Sequence, residues 1–277
     1  DYARREFERH GLSCDFVDAE RPETWGEALR PETRMIYVES ITNPLVQVAD
    51  LEAVVRFARK HDLLSVIDNT FASPVNFRPA EIGFDLSLHS GTKYLNGHSD
   101  IVCGVVIGRT EPVAGVKKMM SFLGGSLDAH ACFLLHRGLK TLGVRVRQQN
   151  ESALALASFL EAHSAVSRVN YPGLPSNSGH DRATRLFDGF GGMMSFELAG
   201  GEVAAKRFEA AVTIPIVAPS LGGVESLITR PAATSHAGLT PEERAVVGVS
   251  DGLIRVSVGI EGTQDLMADF EAALAAI

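Results

Sequence analysis

Two charged side chains, each standing directly after an apolar run, are the residues best placed to do chemistry. Asp68 opens Asp68-Asn69-Thr70-Phe71 at the end of Leu64-Ser65-Val66-Ile67, and Lys93 follows twenty-five positions later in His89-Ser90-Gly91-Thr92-Lys93-Tyr94. Ligands of open α/β sheets gather outside the carboxyl ends of strands, so an acid and an amine at two such ends are candidates for one site. Ser90, Thr92 and a permissive glycine precede the lysine, and hydroxyls with backbone N–H groups at such a turn can bind a phosphate. A lysine amine condenses with an aldehyde. A carboxylate beside a pyridine nitrogen keeps that nitrogen protonated and the ring able to withdraw electrons. Aldehyde, phosphate and protonated ring together describe pyridoxal 5′-phosphate (PLP), with Asp68 and Lys93 as the pair it requires. Taken alone, a strand-end Asp followed by Asn is more often a turn former, and a lysine in a Ser/Thr-rich turn is more often a solvated side chain. Spacing by itself does not decide.

Such a site needs alternating strands and helices to position it. From Arg34 to Gly108, short β-branched runs alternate with amphipathic stretches, as expected of an α/β domain with a largely parallel, buried sheet. Strands are expected at Met35-Ile36-Tyr37-Val38, Leu64 to Ile67, Phe84 to Leu88 and Ile101 to Ile107, with a helix from Asp50 to His61 capped by Asp50. A stretch from Arg145 to His163, rich in Ala and Leu and free of Gly and Pro, reads as a long helix. The domain boundary is placed there: residues 1–144 belong to the large domain, and 145–277 form the connecting helix and a smaller α+β domain. In the latter, strands are expected near Gly192 to Leu198, Ile216 to Ala218 and Leu253 to Val258, and helices at Glu202 to Ala211 and Thr263 to Ile277. At the other end, Tyr2 to His10 reads as a helical segment stopped by Gly11.

Composition narrows the function classes. With 277 residues, 45% hydrophobic, the chain can bury a sizeable core. A net charge of −8 with no basic stripe excludes a nucleic-acid partner and favours a small-molecule substrate. Cys14, Cys103 and Cys132 lie far apart with no Cys-x-x-Cys pair, so no disulfide framework and no metal site is expected, and a reducing cytoplasm is the natural compartment. The longest apolar runs are too short to cross a bilayer and no leader opens the chain, so a soluble protein with no membrane partner is expected.

The run Asp68 to Pro74, followed by Ser90-Gly91-Thr92-Lys93-Tyr94-Leu95-Asn96-Gly97-His98-Ser99-Asp100, resembles the signature of the PLP-dependent transsulfuration family. That family comprises cystathionine γ-synthase, cystathionine γ-lyase, cystathionine β-lyase and methionine γ-lyase. The likeness continues through Arg137 to Leu142, Tyr171 to Leu174, Gly189 to Gly192, Ser220 to Ser226 and Ile254 to Glu261, spanning essentially the whole chain. It implies the type I, aspartate-aminotransferase-like fold. Lys93 matches the lysine that carries the cofactor, Asp68 the acid on the pyridine nitrogen, and Ser90 and Thr92 the phosphate-binding hydroxyls. Asn43, in Ser40-Ile41-Thr42-Asn43-Pro44, matches the asparagine near the cofactor oxygen and the substrate carboxylate; by itself it is equally a pre-proline turn residue. Arg255 matches the arginine that grips the substrate α-carboxylate, although an arginine in an apolar strand would otherwise read as half of a structural ion pair. Ser220 matches a residue lining the substrate end, against the plain reading of a strand-end hydroxyl. His98 and Asp100 read as turn and packing residues, not proton carriers.

The resemblance also implies a homodimer or homotetramer, with active-site residues borrowed from a neighbouring subunit. The family's phosphate turn and ring-stacking tyrosine precede the region where this chain starts, and Tyr2 does not align with that tyrosine, so the N-terminal part is expected to be missing. Lyase or transferase chemistry at the β or γ carbon of a sulfur amino acid or activated homoserine is the leading reading. The alternatives are cystathionine β-lyase, methionine γ-lyase or O-acylhomoserine sulfhydrylase activity, an aminotransferase on the same fold, or an inactive fragment. Gly124-Gly125-Ser126-Leu127 and Ala218 to Gly223 lean towards the γ-synthase and γ-lyase branch, and Pro219 replaces a glutamate carried there by many γ-lyases and bacterial γ-synthases.

Overall fold

The structure, a computed structural model, describes residues 5–277, so Tyr2 and the start of its expected helix lie outside the described residues. Within the described part of that segment, Phe7–His10 form a short 3₁₀ turn closed by Gly11 in the left-handed conformation. The first sheet has four strands in the order β1 (Met35–Glu39), β2 (Leu64–Asp68), β3 (Leu86–Ser90) and β4 (Gly104–Gly108). β1, β2 and β3 are mutually parallel, while β4 runs antiparallel to β3. The sheet is therefore largely parallel, with one antiparallel strand at its edge. Crossing from β1 to β2 is α1 (Leu51–Lys60), whose Asp50 cap accepts from the Ala53 N–H at 2.8 Å. Leu51, Ala53, Val54 and Val55 of α1 are buried with Ile67 of β2 in one core. The sheet is not buried on both faces: Met35 and Tyr37 remain half-exposed on β1.

Two strands shift from their expected bounds for local reasons. Phe84 spends its bulk in the core and its N–H on Pro79, so the β3 ladder starts two residues later and ends on Ser90. Ile101 to Cys103 are not in β4; Cys103 instead holds the Lys93 turn through its main chain. After β4 come α2 (Thr110–Leu123) and α3 (Ala129–Leu139), both absent from the sequence reading. Pro112, Gly115 and Gly138 interrupt their patterns, although Asp128, capping α3 through two backbone N–H groups, is a legible start signal.

The long helix α4 runs Leu142–Ala162, starting three residues before its expected beginning. Gly143 lies in its first turn, where the glycine penalty is small because few hydrogen bonds depend on it. Beyond it lies a second, five-stranded sheet in the order β5 (Val166–Asn170), β6 (Met193–Leu198), β9 (Leu253–Ser257), β8 (Leu227–Thr229) and β7 (Ile216–Val217). All its pairs are antiparallel except β7 with β8. The sequence reading missed β5 and the three-residue β8, which are too short and too polar at one end to show a period.

Helices α5 (Gly201–Ala211) and α6 (Thr263–Leu274) bury Phe208 and Phe270 against Phe196 of β6. The three rings form a triangle with centroids 5.3 to 6.3 Å apart, in edge-to-face and tilted arrangements. Phe208→Ala is expected to lower unfolding free energy by about 3–5 kcal/mol, because the cavity cannot close between two other rings. Urea denaturation checks this, and a loss below about 1 kcal/mol would show that the site collapses. The amino-terminal part of α4 (Leu142, Val146) belongs to the first core, and Ala153, Leu156, Ala157 and Leu160 to the second.

Candidate active site

Parallel β1, β2 and β3 all point their carboxyl ends the same way, so Glu39, Asp68 and Ser90 emerge along one edge. Asp68 ends β2 because its carboxylate turns back on the chain: Oδ1 accepts from the Thr70 N–H at 2.9 Å. The Thr70 hydroxyl in turn accepts from the Ser90 N–H at 2.8 Å, tying the acid's turn to the end of β3. Thr70 was not singled out from sequence, though the Asp-Asn-Thr turn carried the signal. Oδ2 of Asp68 lies 3.4 Å from the Tyr37 hydroxyl, a residue that sequence reasoning also missed.

Beyond Ser90 the chain forms a compact turn that presents Lys93. The Lys93 N–H donates to Ser90 O at 3.1 Å, and its carbonyl accepts from Gly97 at 2.7 Å. The Thr92 hydroxyl accepts from the Cys103 N–H at 2.9 Å and lies 3.4 Å from the Cys103 carbonyl, so it is anchored rather than free. The next residues are clasped by Arg145, a buried guanidinium that donates to the carbonyls of Tyr94 and Gly138, each at 2.9 Å. Gly97, at φ 76°, passes so close to that guanidinium that no Cβ fits. His98 and Asp100 both bind Asn96, through its carbonyl and its side-chain amide respectively, each at 2.7 Å.

The second sheet completes the site. The Lys93 amine donates to the Ser220 hydroxyl at 2.9 Å, across 127 positions of sequence. Burial first, and then the Arg255 charge, push the Lys93 amine below the ordinary lysine range. Arg255 projects from β9 and is 4% exposed. Its Nη1 donates to Asn43 Oδ1 at 3.2 Å, and its Nη2 to the carbonyls of Pro219 and Ser220 at 2.9 and 3.0 Å. No carboxylate pairs with it among the described residues, and its buried Nε has no acceptor there. Asn43 itself is exposed, at a cis Asn43-Pro44 bond.

The seven residues singled out from sequence thus share one region. Direct contacts join Lys93 to Ser220 and Arg255 to Asn43, while Asp68 and Ser90 connect through Thr70. An open hollow of 580 Å³ between Asp100–Val102 and the start of α3 contains none of them.

The donor set suits PLP. Asp68 faces no cation among the described residues, Lys93 faces no carboxylate, and the Ser90 hydroxyl has no partner there. Each is what a cationic ring nitrogen, an aldehyde and a phosphate respectively would use. No three His, Cys, Asp or Glu side chains converge on a metal site among the described residues, and no helix among them is long and apolar enough to cross a membrane.

Comparison with known proteins agrees with this chemistry. The cystathionine beta-lyase of Coxiella burnetii is 44% identical over 266 residues, covering 95% of this chain and 69% of that protein. The cystathionine gamma-lyase of Sus scrofa is 40% identical over 277 residues, covering 99% of this chain and 68% of that protein. The chloroplastic cystathionine gamma-synthase 1 of Arabidopsis thaliana is 43% identical over 243 residues, covering 88% and 43%. Residues 1–275 match the family described as Cys/Met metabolism PLP-dependent enzyme, and on that match and these relatives the chain belongs to that family of PLP enzymes.

Proposed function

We propose that Lys93 carries the cofactor, that Asp68 faces its pyridine nitrogen, and that Ser90 and Thr92 serve its phosphate. Arg255 and Asn43 take the substrate α-carboxylate, and Ser220 lines the substrate end. The observation that carries this reading is the meeting of Lys93 with Ser220 and of Arg255 with Asn43, which joins both sheets over one region. When bound, PLP supplies the electron sink for charge developing on the substrate. With the cofactor bound, the Lys93 amine would take the proton from Cα and deliver it further along the substrate, and its lowered proton affinity keeps a neutral amine available for that task. Ser220 Oγ holds the lysine amine between these tasks. Arg255 offers its guanidinium to the carboxylate while the Pro219 and Ser220 carbonyls fix its plane. Borohydride trapping and peptide mapping test the assignment of Lys93.

The reaction we favour is γ-replacement by cysteine on an activated homoserine. Pro219 is exposed beside Ser220 and removes the charge that a carboxylate would offer to the distal ammonium of cystathionine. Related proteins carry the names cystathionine beta-lyase, gamma-lyase and gamma-synthase, so relatedness alone does not choose among them. With the full-length enzyme, O-succinyl-, O-acetyl- or O-phosphohomoserine plus cysteine is expected to give cystathionine faster than cystathionine or methionine alone gives 2-oxobutanoate. Initial rates by mass spectrometry decide, and faster breakdown than synthesis overturns the γ-replacement reading while sparing the cofactor assignment.

The proposed domain division runs through α4, whose two ends serve different cores. Homo-oligomeric assembly, as a dimer or tetramer, is supported by the apolar exterior of α2. That helix has no buried residue and exposes Met119, Phe122 and Leu123, and the next two helices expose Phe133 and Val144. The proposed location is the cytoplasm, in keeping with three unpaired cysteines.

A further inference from the structure

Glu39 and Asp68 are in-register neighbours on parallel strands, so their side chains leave the same face of the sheet. Tyr37, two residues before Glu39 on β1, shares that face and brings its hydroxyl to Asp68 Oδ2 at 3.4 Å. We propose that Tyr37 is a positioning residue for the cofactor ring: its donation to Oδ2 aims the Asp68 carboxylate and makes Asp68, not Glu39, the acid opposite the pyridine nitrogen. This rests on the reading of Asp68 given above.

Two features carry the inference. An Asp χ2 torsion is soft, and the Thr70 N–H engages only Oδ1, so one backbone donor leaves the carboxylate free to swing. A second donor on Oδ2 removes that freedom. Asp68 also has two donors among the described residues, the Thr70 N–H and the Tyr37 hydroxyl, while at Glu39 the Asn43 backbone N–H does not offset desolvation and then the neighbouring Asp68, which push the Glu39 carboxyl above its usual range, even with part of its side chain open to solvent. The phenol keeps its proton and remains a donor, because desolvation and both carboxylates raise it well above the ordinary tyrosine range.

Tyr37→Phe removes one hydroxyl from a half-exposed ring, so the melting temperature should stay at the wild-type value. Apoenzyme reconstituted with PLP is followed by equilibrium dialysis and by the visible absorption band, and kcat is separated from KM. Tyr37→Phe is expected to raise the PLP dissociation constant about threefold to tenfold, shift the band, and lower kcat with KM unchanged. Glu39→Gln is expected to leave the dissociation constant as it was. A wild-type dissociation constant and band in Tyr37→Phe overturns the proposal, as does equal loosening in Glu39→Gln or loosening that only tracks a fall in melting temperature. Asp68→Asn separates the two levels of argument. If it also binds PLP like wild type, the reading of Asp68 fails; if it alone loosens PLP, only the role of Tyr37 fails.

Discussion

Replacing Lys93 with alanine is expected to leave a protein that takes up PLP without a borohydride-stable bond and turns over substrate roughly 100- to 10,000-fold more slowly. The covalent bond requires a primary amine, and the lost rate is that of a positioned proton carrier. In the wild type the amine donates to Ser220 Oγ at 2.9 Å, and no carboxylate among the described residues pairs with it. Burial and Arg255 lower its proton affinity, so the reactive neutral form persists to lower pH than on an exposed lysine. The sign is testable: because the Lys93 amine is held below the ordinary lysine range, its reaction with an amine-directed reagent should persist to lower pH in the wild type than in a variant whose Arg255 charge is removed. Reduction and peptide mapping should put the pyridoxyl group on Lys93. Label on Lys117, Lys118 or Lys140 would sink the assignment.

The second large effect is on substrate. Arg255→Lys is expected to retain PLP but weaken amino-acid substrates by about 2 kcal/mol, more than tenfold in affinity. A planar guanidinium presents parallel donors to a carboxylate, while an ammonium acts as a point charge. The present partners of Arg255 sharpen the argument. Asn43 Oδ1 and the carbonyls of Pro219 and Ser220 are neutral acceptors, so the buried positive charge has no counterion from the described residues and a carboxylate entering the site would supply one. Lysine would also leave part of that acceptor set without donors. The absorbance change of the bound cofactor on adding amino acid measures the loss. Unchanged affinity would remove Arg255 from the site.

Much of this was legible in the linear chain where the controlling interactions are local. The strand of Leu64 to Asp68, the Asp50-capped helix and the turn into Lys93 are encoded within a few residues of themselves, by β-branched runs, a capping side chain and a Ser-Gly-Thr turn. Asp68 and Lys93 could be named for the same reason, one closing and the other standing just past a strand that its own neighbours specify. The helices after β4 were lost because Pro112, Gly115 and Gly138 blur the period, although tertiary packing tolerates all three. The antiparallel direction of β4 was lost because apolar runs carry no sign of their direction.

What only the folded chain decided is which distant groups meet. An arginine inside an apolar strand would by itself read as half of an ion pair, yet the partners of Arg255 are an amide and two carbonyls, the amide 212 positions away. Lys93 and Ser220 meet because β3 and the loop before β8 are brought together by two cores that share α4. Tyr37 looked like any strand residue until the parallel register set it on the face of Asp68. Sequence by itself determined the residue types, the local turns that present them and hence the chemistry available. Register, burial and long-range hydrogen bonds determined the site, because they arise from the joint packing of segments that carry no local record of one another.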